Sequence, residues 1–303
     1  MKVNTGIGVG FGRGIAVLAA IALAGCAPSG TGARAKHVLF VGADGLSAAS
    51  FRAGLKAPNA RRLMAEGSWS LKARSILPSS SAANWASIFQ CSGPELNGYN
   101  DWNSQKPVMP AAAVDANGRF PDVFERLRLA KPSSAIGYAY EWEGMAFVVD
   151  TNACDFVSHK TAWSPAVKDW ILKTRPELMV IVFDSPDATG HAAGWGTPEY
   201  MDAATKADAK LGEILATYAE AGILDDTVVV FTSDHGGIRK SHGGTTLDEM
   251  ERPLVIAGPG IRAGHEIEAV NACYDTGATV ARLLGLEPPQ AWTGRALTEV
   301  FSR

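Results

Sequence analysis

The chain has 303 residues, of which 47% are hydrophobic and 19% charged. These fractions are typical of a globular protein and exclude a disordered chain or a multi-spanning membrane protein. The formal net charge is −3 and no basic run is interleaved with aromatic residues, which argues against nucleic acid as a partner.

The first 26 residues have the pattern of a bacterial export signal. Lys2 and Arg13 precede the apolar run 15–23, which is too short to span a bilayer. The run ends in Leu-Ala-Gly-Cys, which resembles the lipobox of bacterial lipoproteins. We therefore predict a lipoprotein signal at residues 1–26, lipid on Cys26 and membrane association through that lipid, in the periplasm or at the outer membrane. A secretory signal with a chance cysteine and a membrane-anchored start remain alternatives.

Residues 27–36 are rich in Gly, Ser, Thr and Ala, and we predict a flexible tether there. If Cys26 carries lipid, Cys91, Cys154 and Cys273 remain. Three cysteines in an oxidising compartment allow one disulfide and one free thiol, but buried apolar thiols are the favoured interpretation.

From residue 37 onward, apolar β-rich runs alternate with amphipathic helical segments. The patterns predict strands at 37–42, 134–139, 178–183, 227–232 and 253–257, and helices at 59–66, 83–90, 197–221 and 275–284. Continuously apolar strands between helices indicate an α/β domain, residues 37–303, with a mostly parallel sheet covered by helices on both faces. The segment 99–120 lacks periodicity and is predicted to be a surface excursion.

Acidic and histidine residues follow three of the predicted strands. Ligands of open α/β sheets bind beyond the carboxyl ends of the strands, so we expect these side chains to converge. Carboxylates mixed with imidazoles suit zinc or a similar divalent ion. A turn or a solvated loop would explain any one of these residues, but not all of them together. The residues are Asp44, Asp187, His191, Asp234, His235 and His242.

A serine-rich segment, Pro-Ser-Ser-Ser-Ala-Ala-Asn, precedes the predicted helix 83–90. Ser81 lies at or next to the start of that helix, where N–H groups and the helix dipole favour an anion. Ser81 is therefore a candidate nucleophile, whereas Ser79 and Ser80 are interpreted as capping residues.

These segments, in this order, resemble type I phosphodiesterase/nucleotide pyrophosphatases of the alkaline phosphatase superfamily. The resemblance implies that Ser81 is the nucleophile and that Asn84 donates to a phosphoryl oxygen. It implies two divalent metal ions, with Zn²⁺ as the expected metal: one held by Asp44, Asp234, His235 and Ser81, the other by Asp187, His191 and His242. His242 replaces a ligand that many members carry nearer the C-terminus. The implied reaction is in-line displacement through a phosphoryl-serine intermediate on a small phosphate-ester substrate.

Related activities share these residues. A phosphomonoesterase would add a cation for the phosphate dianion, for which Arg74, Arg239 and Lys240 are candidates, and a phosphonate hydrolase needs no further residue. A sulfatase is disfavoured because the segment from Cys91 to Pro94 does not complete the pattern for formylglycine formation. A binding lipoprotein without catalysis is the alternative of another class.

Aromatic residues lie in or near the excursion and are candidates to stack on a leaving group, although packing of the loop is the favoured interpretation. They are Tyr99, Trp102, Phe120, Tyr140 and Trp142.

Overall fold

The structure is a computed structural model that describes residues 1–2, 35–102 and 105–302. The apolar run and lipobox of the predicted export signal, and nearly all of the predicted tether, lie outside these residues. In the part of the chain that is described, no helix combines the length and apolar character needed to cross a membrane.

Eight strands form one sheet in the order β4-β3-β5-β1-β6-β7-β2-β8. Strand β7 runs antiparallel to β6 and β2, and the other pairings are parallel. The predicted mostly parallel sheet is thereby confirmed. The strands are β1 (His37–Ala43), β2 (Gly67–Arg74), β3 (Ile136–Tyr140), β4 (Phe156–His159), β5 (Leu178–Phe183), β6 (Thr227–Thr232), β7 (Glu251–Ala257) and β8 (His265–Glu266).

Helices cover both faces of the sheet. Alternate residues of β1 join two separate apolar clusters: Phe40 packs on the face that carries Trp85 and Phe124, and Leu39 on the face that carries Leu211. The helices are α1 (Ala48–Arg52), α2 (Pro58–Glu66), α3 (Ser81–Phe89), α4 (Pro94–Asn97), α5 (Val123–Ala130), α6 (Pro165–Thr174), α7 (Asp187–Ala193), α8 (Pro198–Glu220), α9 (Leu247–Met250) and α10 (Cys273–Leu283).

The apolar runs predicted several elements closely. Strands β5 and β6 have the predicted bounds, and α8 differs from its prediction by one residue at each end. Strand β2 was not predicted, because buried serines such as Ser68 and Ser70 interrupt its apolar pattern. Short α7 was not predicted either, since only one turn separates Asp187 from His191.

The segment 99–120 contains no helix or strand among its described residues, as predicted. Tyr99 and Phe120, at its two ends, are buried. The Tyr99 hydroxyl donates a hydrogen bond of 2.6 Å to the Phe147 carbonyl and ties the segment to the domain. The excursion is therefore anchored at both ends and exposed over much of its length.

Candidate active site

The convergence predicted beyond the carboxyl ends of the strands is present. Strand β1 lies between β5 and β6, so the segments that follow these three parallel strands share one edge. The Asp187 amide donates to the Asp44 carbonyl at 3.0 Å, and the Gly45 amide donates to Asp234 Oδ1 at 3.1 Å. Backbone contacts between the loops therefore fix the relative positions of the three carboxylates.

Asp44, Asp234 and His235 form one group of potential metal ligands. His235 Nε2 lies 3.5 Å from Asp44 Oδ1 and 3.3 Å from Asp234 Oδ2. Ser81 Oγ adjoins the group, 3.3 Å from Asp44 Oδ1 and 3.2 Å from His235 Nε2. All four side chains are buried, so a positive ion here would have protein ligands on most sides.

Asp187, His235 and His242 form a second group of potential metal ligands, which shares His235 with the first, and His191 adjoins it. His191 Nε2 lies 3.3 Å from Asp187 Oδ2 and 3.1 Å from His242 Nε2. His242 Nε2 lies 3.7 Å from Asp187 Oδ1. Helix α7 brings Asp187 and His191 together because residues four apart share one face of a helix. The rings of His242 and His235 stack at 3.8 Å, which joins the two groups.

The three histidines are oriented in the same way. Nδ1 of His191, His235 and His242 lies 3.1, 2.7 and 2.9 Å from a backbone carbonyl, of Lys240, Gly236 and Ser79 respectively. A neutral ring that donates to its carbonyl carries its proton on Nδ1. Every Nε2 is then left with a lone pair facing the carboxylates, which is the arrangement of metal-binding histidines with a fixed tautomer.

Burial and mutual repulsion disfavour ionisation of the carboxylates. Burial, followed by the charges of Asp234 and Asp184, raises the pKa of Asp187 to about 8. Burial also raises the pKa of Asp234 to about 6 and that of Asp44 well above its ordinary value. Burial lowers the pKa of His235 and His242 to about 4. The imidazoles of His235 and His242 are therefore neutral near neutral pH, and a nearby positive charge would favour ionisation of the carboxyl groups.

The donor set fits divalent metal ions. Asp187 Oδ1 and Asp234 Oδ2 are buried and have no hydrogen-bond partner among the described residues. Unsatisfied buried carboxylate oxygens are costly unless something else binds them. Together with the free Nε2 atoms, they make a set of oxygen and nitrogen ligands suited to zinc.

Ser81 is the first residue of α3, as the sequence indicated. Asn84, one turn further on, is fully buried and engages the preceding loop. Its amide nitrogen donates to the carbonyls of Pro78 and Ser80 at 3.0 Å, and its oxygen accepts from the Ile76 amide at 2.8 Å. In this arrangement Asn84 braces the loop before the nucleophile, and donation to a phosphoryl oxygen stays a prediction.

A cavity of about 550 Å³ opens beside the second group. Of the five aromatic residues singled out in the sequence, Tyr99, Phe120 and Tyr140 are buried, whereas Trp102 is 58% exposed and lines this cavity. Sequence reasoning missed Asn100, which lines this cavity together with His191 and His242. The sequence feature that could have pointed to Asn100 as a site residue is its position two residues before Trp102, in a segment without periodicity.

The candidate cations for a phosphate dianion lie elsewhere. Arg74 pairs with Glu251 at 3.2 Å, Lys240 donates to the Ala192 carbonyl at 2.7 Å, and Arg239 lines a different cavity. No lysine or arginine of the described residues lines the cavity with Trp102.

Cys91 is buried beyond the carboxyl end of α3, at the opposite end of that helix from Ser81. Cys91, Cys154 and Cys273 are free thiols in the structure. A cysteine in this position is remote from both ligand groups, which agrees with the incomplete sulfatase pattern.

Residues 38–272 match the sequence profile of the type I phosphodiesterase/nucleotide pyrophosphatase family. Among curated proteins, arylsulfatase K of Danio rerio is 33% identical over 109 residues, covering 34% of this chain and 21% of that protein. A multifunctional alkaline phosphatase superfamily protein of Trinickia caryophylli is 36% identical over 105 residues, covering 32% and 20%. The matched stretches thus span about a fifth of these relatives.

Solved structures share the fold over most of the chain. Murine ectonucleotide pyrophosphatase/phosphodiesterase 5, in complex with AMP, superposes with a TM-score of 0.73 at 13% identity and covers 88% of this chain and 100% of that one. A phosphonate monoester hydrolase from Silicibacter pomeroyi gives a TM-score of 0.66 at 16% identity and covers 86% and 76%.

Proposed function

Because the chain belongs to the type I phosphodiesterase/nucleotide pyrophosphatase family, whose members hydrolyse phosphoric ester bonds, we propose that it is a two-zinc phosphodiesterase acting through a phosphoryl-serine intermediate. The observation that carries the proposal is the contact of Ser81 Oγ with Asp44 and His235, at 3.3 and 3.2 Å, at the start of a helix. A hydroxyl among metal-type ligands is the arrangement of an activated nucleophile.

Asp44, Asp234, His235 and Ser81 would hold one ion, and Asp187, His191 and His242 the other. Two divalent ions supply the positive charge that keeps a serine oxygen ionised and neutralises phosphoryl oxygens. The carbonyls that accept from the Nδ1 atoms hold the imidazoles in the orientation this requires.

In the first step, the Ser81 hydroxyl gives its proton to water, Ser81 Oγ attacks phosphorus and the bond from phosphorus to the leaving oxygen breaks. The leaving alcohol gains its proton from water in the cavity. In the second step, water attacks the phosphoryl-serine, and the bond to Ser81 Oγ breaks with return of a proton to that oxygen. The amino end of α3 favours the negative charge at both stages.

Two neutral amides support these steps. Asn100 lines the cavity and is available to donate to a substrate oxygen. Asn84 holds the backbone of residues 76–80 and so the start of α3. Donation from Asn84 itself would require the loop to release its amide.

The cavity supports a diester over a monoester. A phosphate monoester is a dianion near neutral pH and usually requires a cationic side chain, whereas a diester carries one negative charge. The described lining contributes neutral groups, the carboxylate of Asp101 and the exposed ring of Trp102, with no lysine or arginine. We propose that the second ester group of a small substrate lies against Trp102.

We further propose that the enzyme acts outside the cytoplasm, attached to a membrane through lipid on Cys26. The support is the apolar run and the Leu-Ala-Gly-Cys sequence. Replacement of Cys26 by Ser should abolish incorporation of labelled palmitate and release the protein from the membrane fraction. Unchanged labelling of that variant would contradict this part of the proposal.

The test of the activity compares initial rates of residues 27–303, loaded with zinc, on bis-(p-nitrophenyl) phosphate and p-nitrophenyl phosphate. The expected result is a preference for the diester that is lost in Ser81→Ala and after chelation. A preference for the monoester would identify a phosphatase. No zinc-dependent turnover of either ester would contradict the proposal and leave a phosphonate hydrolase or a binding protein.

A further inference from the structure

Trp85 makes a contact with the candidate metal centre that the reaction scheme does not use. Its side chain is fully buried, and its indole Nε1 donates a hydrogen bond of 2.9 Å to Asp44 Oδ2. The other oxygen of that carboxylate, Oδ1, faces Ser81 and His235. The two oxygens of Asp44 therefore have different surroundings, one occupied by an indole and one turned toward the ligand group.

The surroundings of Trp85 fix the direction of this bond. Its ring stacks on Phe89 at 6.1 Å and meets the edge of Phe40 at 6.3 Å. Strand β1 approaches the ring at Gly42, where an added Cβ would lie 2.4 Å from the indole. Because packing on these sides leaves the ring little freedom, the N–H group is held against Asp44.

We propose that Trp85 is a positioning residue that directs Asp44 to bind its metal ion through Oδ1 alone. This inference rests on the proposed two-metal site. The indole hydrogen bond uses one lone pair of Oδ2, which disfavours a chelating geometry in which both oxygens bind one ion. An outer hydrogen-bond partner of this kind sets the orientation of a ligand and the affinity of its site.

Trp85 also links the metal ligand to the nucleophile. Ser81 and Trp85 are four residues apart on α3, so one helix carries both the attacking oxygen and the group that orients Asp44. A shift of α3 would move both groups relative to Asp44, which follows β1. The geometry of the first ligand group therefore depends on the position of α3.

The test replaces Trp85 by Phe, which keeps an aromatic ring but removes the donor. The matched control is Trp292→Phe, since Trp292 is also buried and donates through Nε1, at 2.9 Å, to the Pro121 carbonyl rather than to a ligand. Zinc affinity is measured by competition with a chromophoric chelator, and coordination by the visible spectrum of the Co²⁺-substituted protein. Neither readout depends on turnover.

We expect Trp85→Phe to weaken zinc binding by about 10- to 100-fold at one of two sites and to change the Co²⁺ spectrum toward a higher coordination number. Trp292→Phe should do neither. Wild-type affinity and an unchanged Co²⁺ spectrum in folded Trp85→Phe would overturn the inference.

A second variant covers the case in which Phe disturbs the core. Incorporation of 3-benzothienylalanine at position 85 replaces the N–H by sulfur with nearly the same ring shape. The same loss of zinc affinity in this variant would assign the effect to the hydrogen bond, and its absence would assign it to packing. Failure of the proposed phosphodiesterase activity would leave these zinc measurements unaffected.

Discussion

At the scale of single residues, backbone carbonyls orient the imidazoles near Ser81, and the indole of Trp85 contacts Asp44. The carbonyls of Gly236, Lys240 and Ser79 orient the three imidazoles. Ser79 also accepts from the Gly243 amide through its hydroxyl at 3.1 Å, so the loop before the nucleophile supports the loop that carries His242. The two ligand groups and the nucleophile are therefore coupled through one network.

Replacement of Ser81 by Ala should reduce kcat for a diester by at least about 1000-fold, since the attacking oxygen is lost. Zinc content should be largely retained, because the three charged or imidazole ligands of each group remain. Steady-state kinetics and metal analysis of the purified variant check both expectations. A variant with wild-type kcat would show that another group is the nucleophile.

Trp102 gives a second prediction at this scale. Its exposed ring offers a stacking surface, so Trp102→Ala should raise KM for an aromatic diester by about 3- to 10-fold with little change in kcat. Trp102→Phe, which keeps a stacking ring, should restore most of the affinity. Equal KM values for all three proteins would mean that the leaving group does not touch residue 102.

At the scale of elements, the sequence predicted those segments whose pattern is unbroken. Buried strands β5 and β6 are continuously apolar, and α8 begins at Thr197-Pro198, so their bounds followed directly. The site residues next to them could be located for the same reason. Strand β2 could not be predicted in this way, because its position in the sheet depends on pairing with β7, which is remote in sequence.

Some site features were also beyond sequence reasoning. The hydrogen bonds of Asn84 to the loop carbonyls, and of Trp85 to Asp44, depend on how α3 packs in the fold. The exposure of Trp102 depends on which aromatic residues of the excursion pack inward. Local periodicity predicts neither these hydrogen bonds nor this exposure. Residue type alone therefore did not show whether the Asn84 amide binds the preceding loop or the substrate.

The packing of α3 against α10 gives a prediction for these elements. A Cβ on Gly277 would lie 1.7 Å from the Ile88 carbonyl oxygen, a backbone atom that cannot move without displacing α3. Gly277→Ala should therefore lower the free energy of unfolding by about 1–3 kcal/mol or more and reduce kcat. Thermal unfolding and diesterase assays measure the two effects.

Gly212→Ala in α8 is the matched control. Its Cβ would meet the side-chain amide of Asn59 at 2.7 Å, which can move at the cost of its hydrogen bonds to Asp208, whereas Gly277 meets backbone. Alanine also gains about 1 kcal/mol of helix propensity over glycine. The midpoint of unfolding should stay near that of the wild type. Equal loss of stability in both variants would mean that α3 is not held by close contact at Gly277.

At the scale of the whole molecule, the fold buries several acidic groups at one edge of a central sheet. The mostly parallel sheet and its coverage on both faces were predicted from the apolar runs separated by helices, whereas the order of the strands is known from the structure alone. The concentration of buried charge is a cost of that arrangement, which bound cations would offset. Stability should therefore depend jointly on pH and on metal.

Without metal, the midpoint of thermal unfolding should fall as pH rises from 6.5 to 8.5. The pKa of Asp187 is about 8 in the folded chain but near 3.9 when unfolded, so only the folded state binds this proton and it is lost in that range. Each such proton corresponds to about 1.4 kcal/mol per pH unit. The histidines with a pKa of about 4 remain neutral here.

Zinc should reverse this trend, since its binding requires ionised carboxylates and releases their protons at lower pH. The stabilisation by zinc is thus expected to be larger at pH 8.5 than at pH 6.5. Scanning calorimetry with and without zinc measures it. A zinc effect that is the same at both pH values would argue against binding at Asp187 and its neighbours.

The stereochemical course at phosphorus tests the central claim, attack by Ser81, most directly. A phosphorothioate diester of known configuration is hydrolysed in ¹⁸O-labelled water, and the configuration of the product is determined. Two in-line displacements, one by Ser81 and one by water, predict net retention. Net inversion would mean a single displacement by water and would contradict the phosphoryl-serine mechanism.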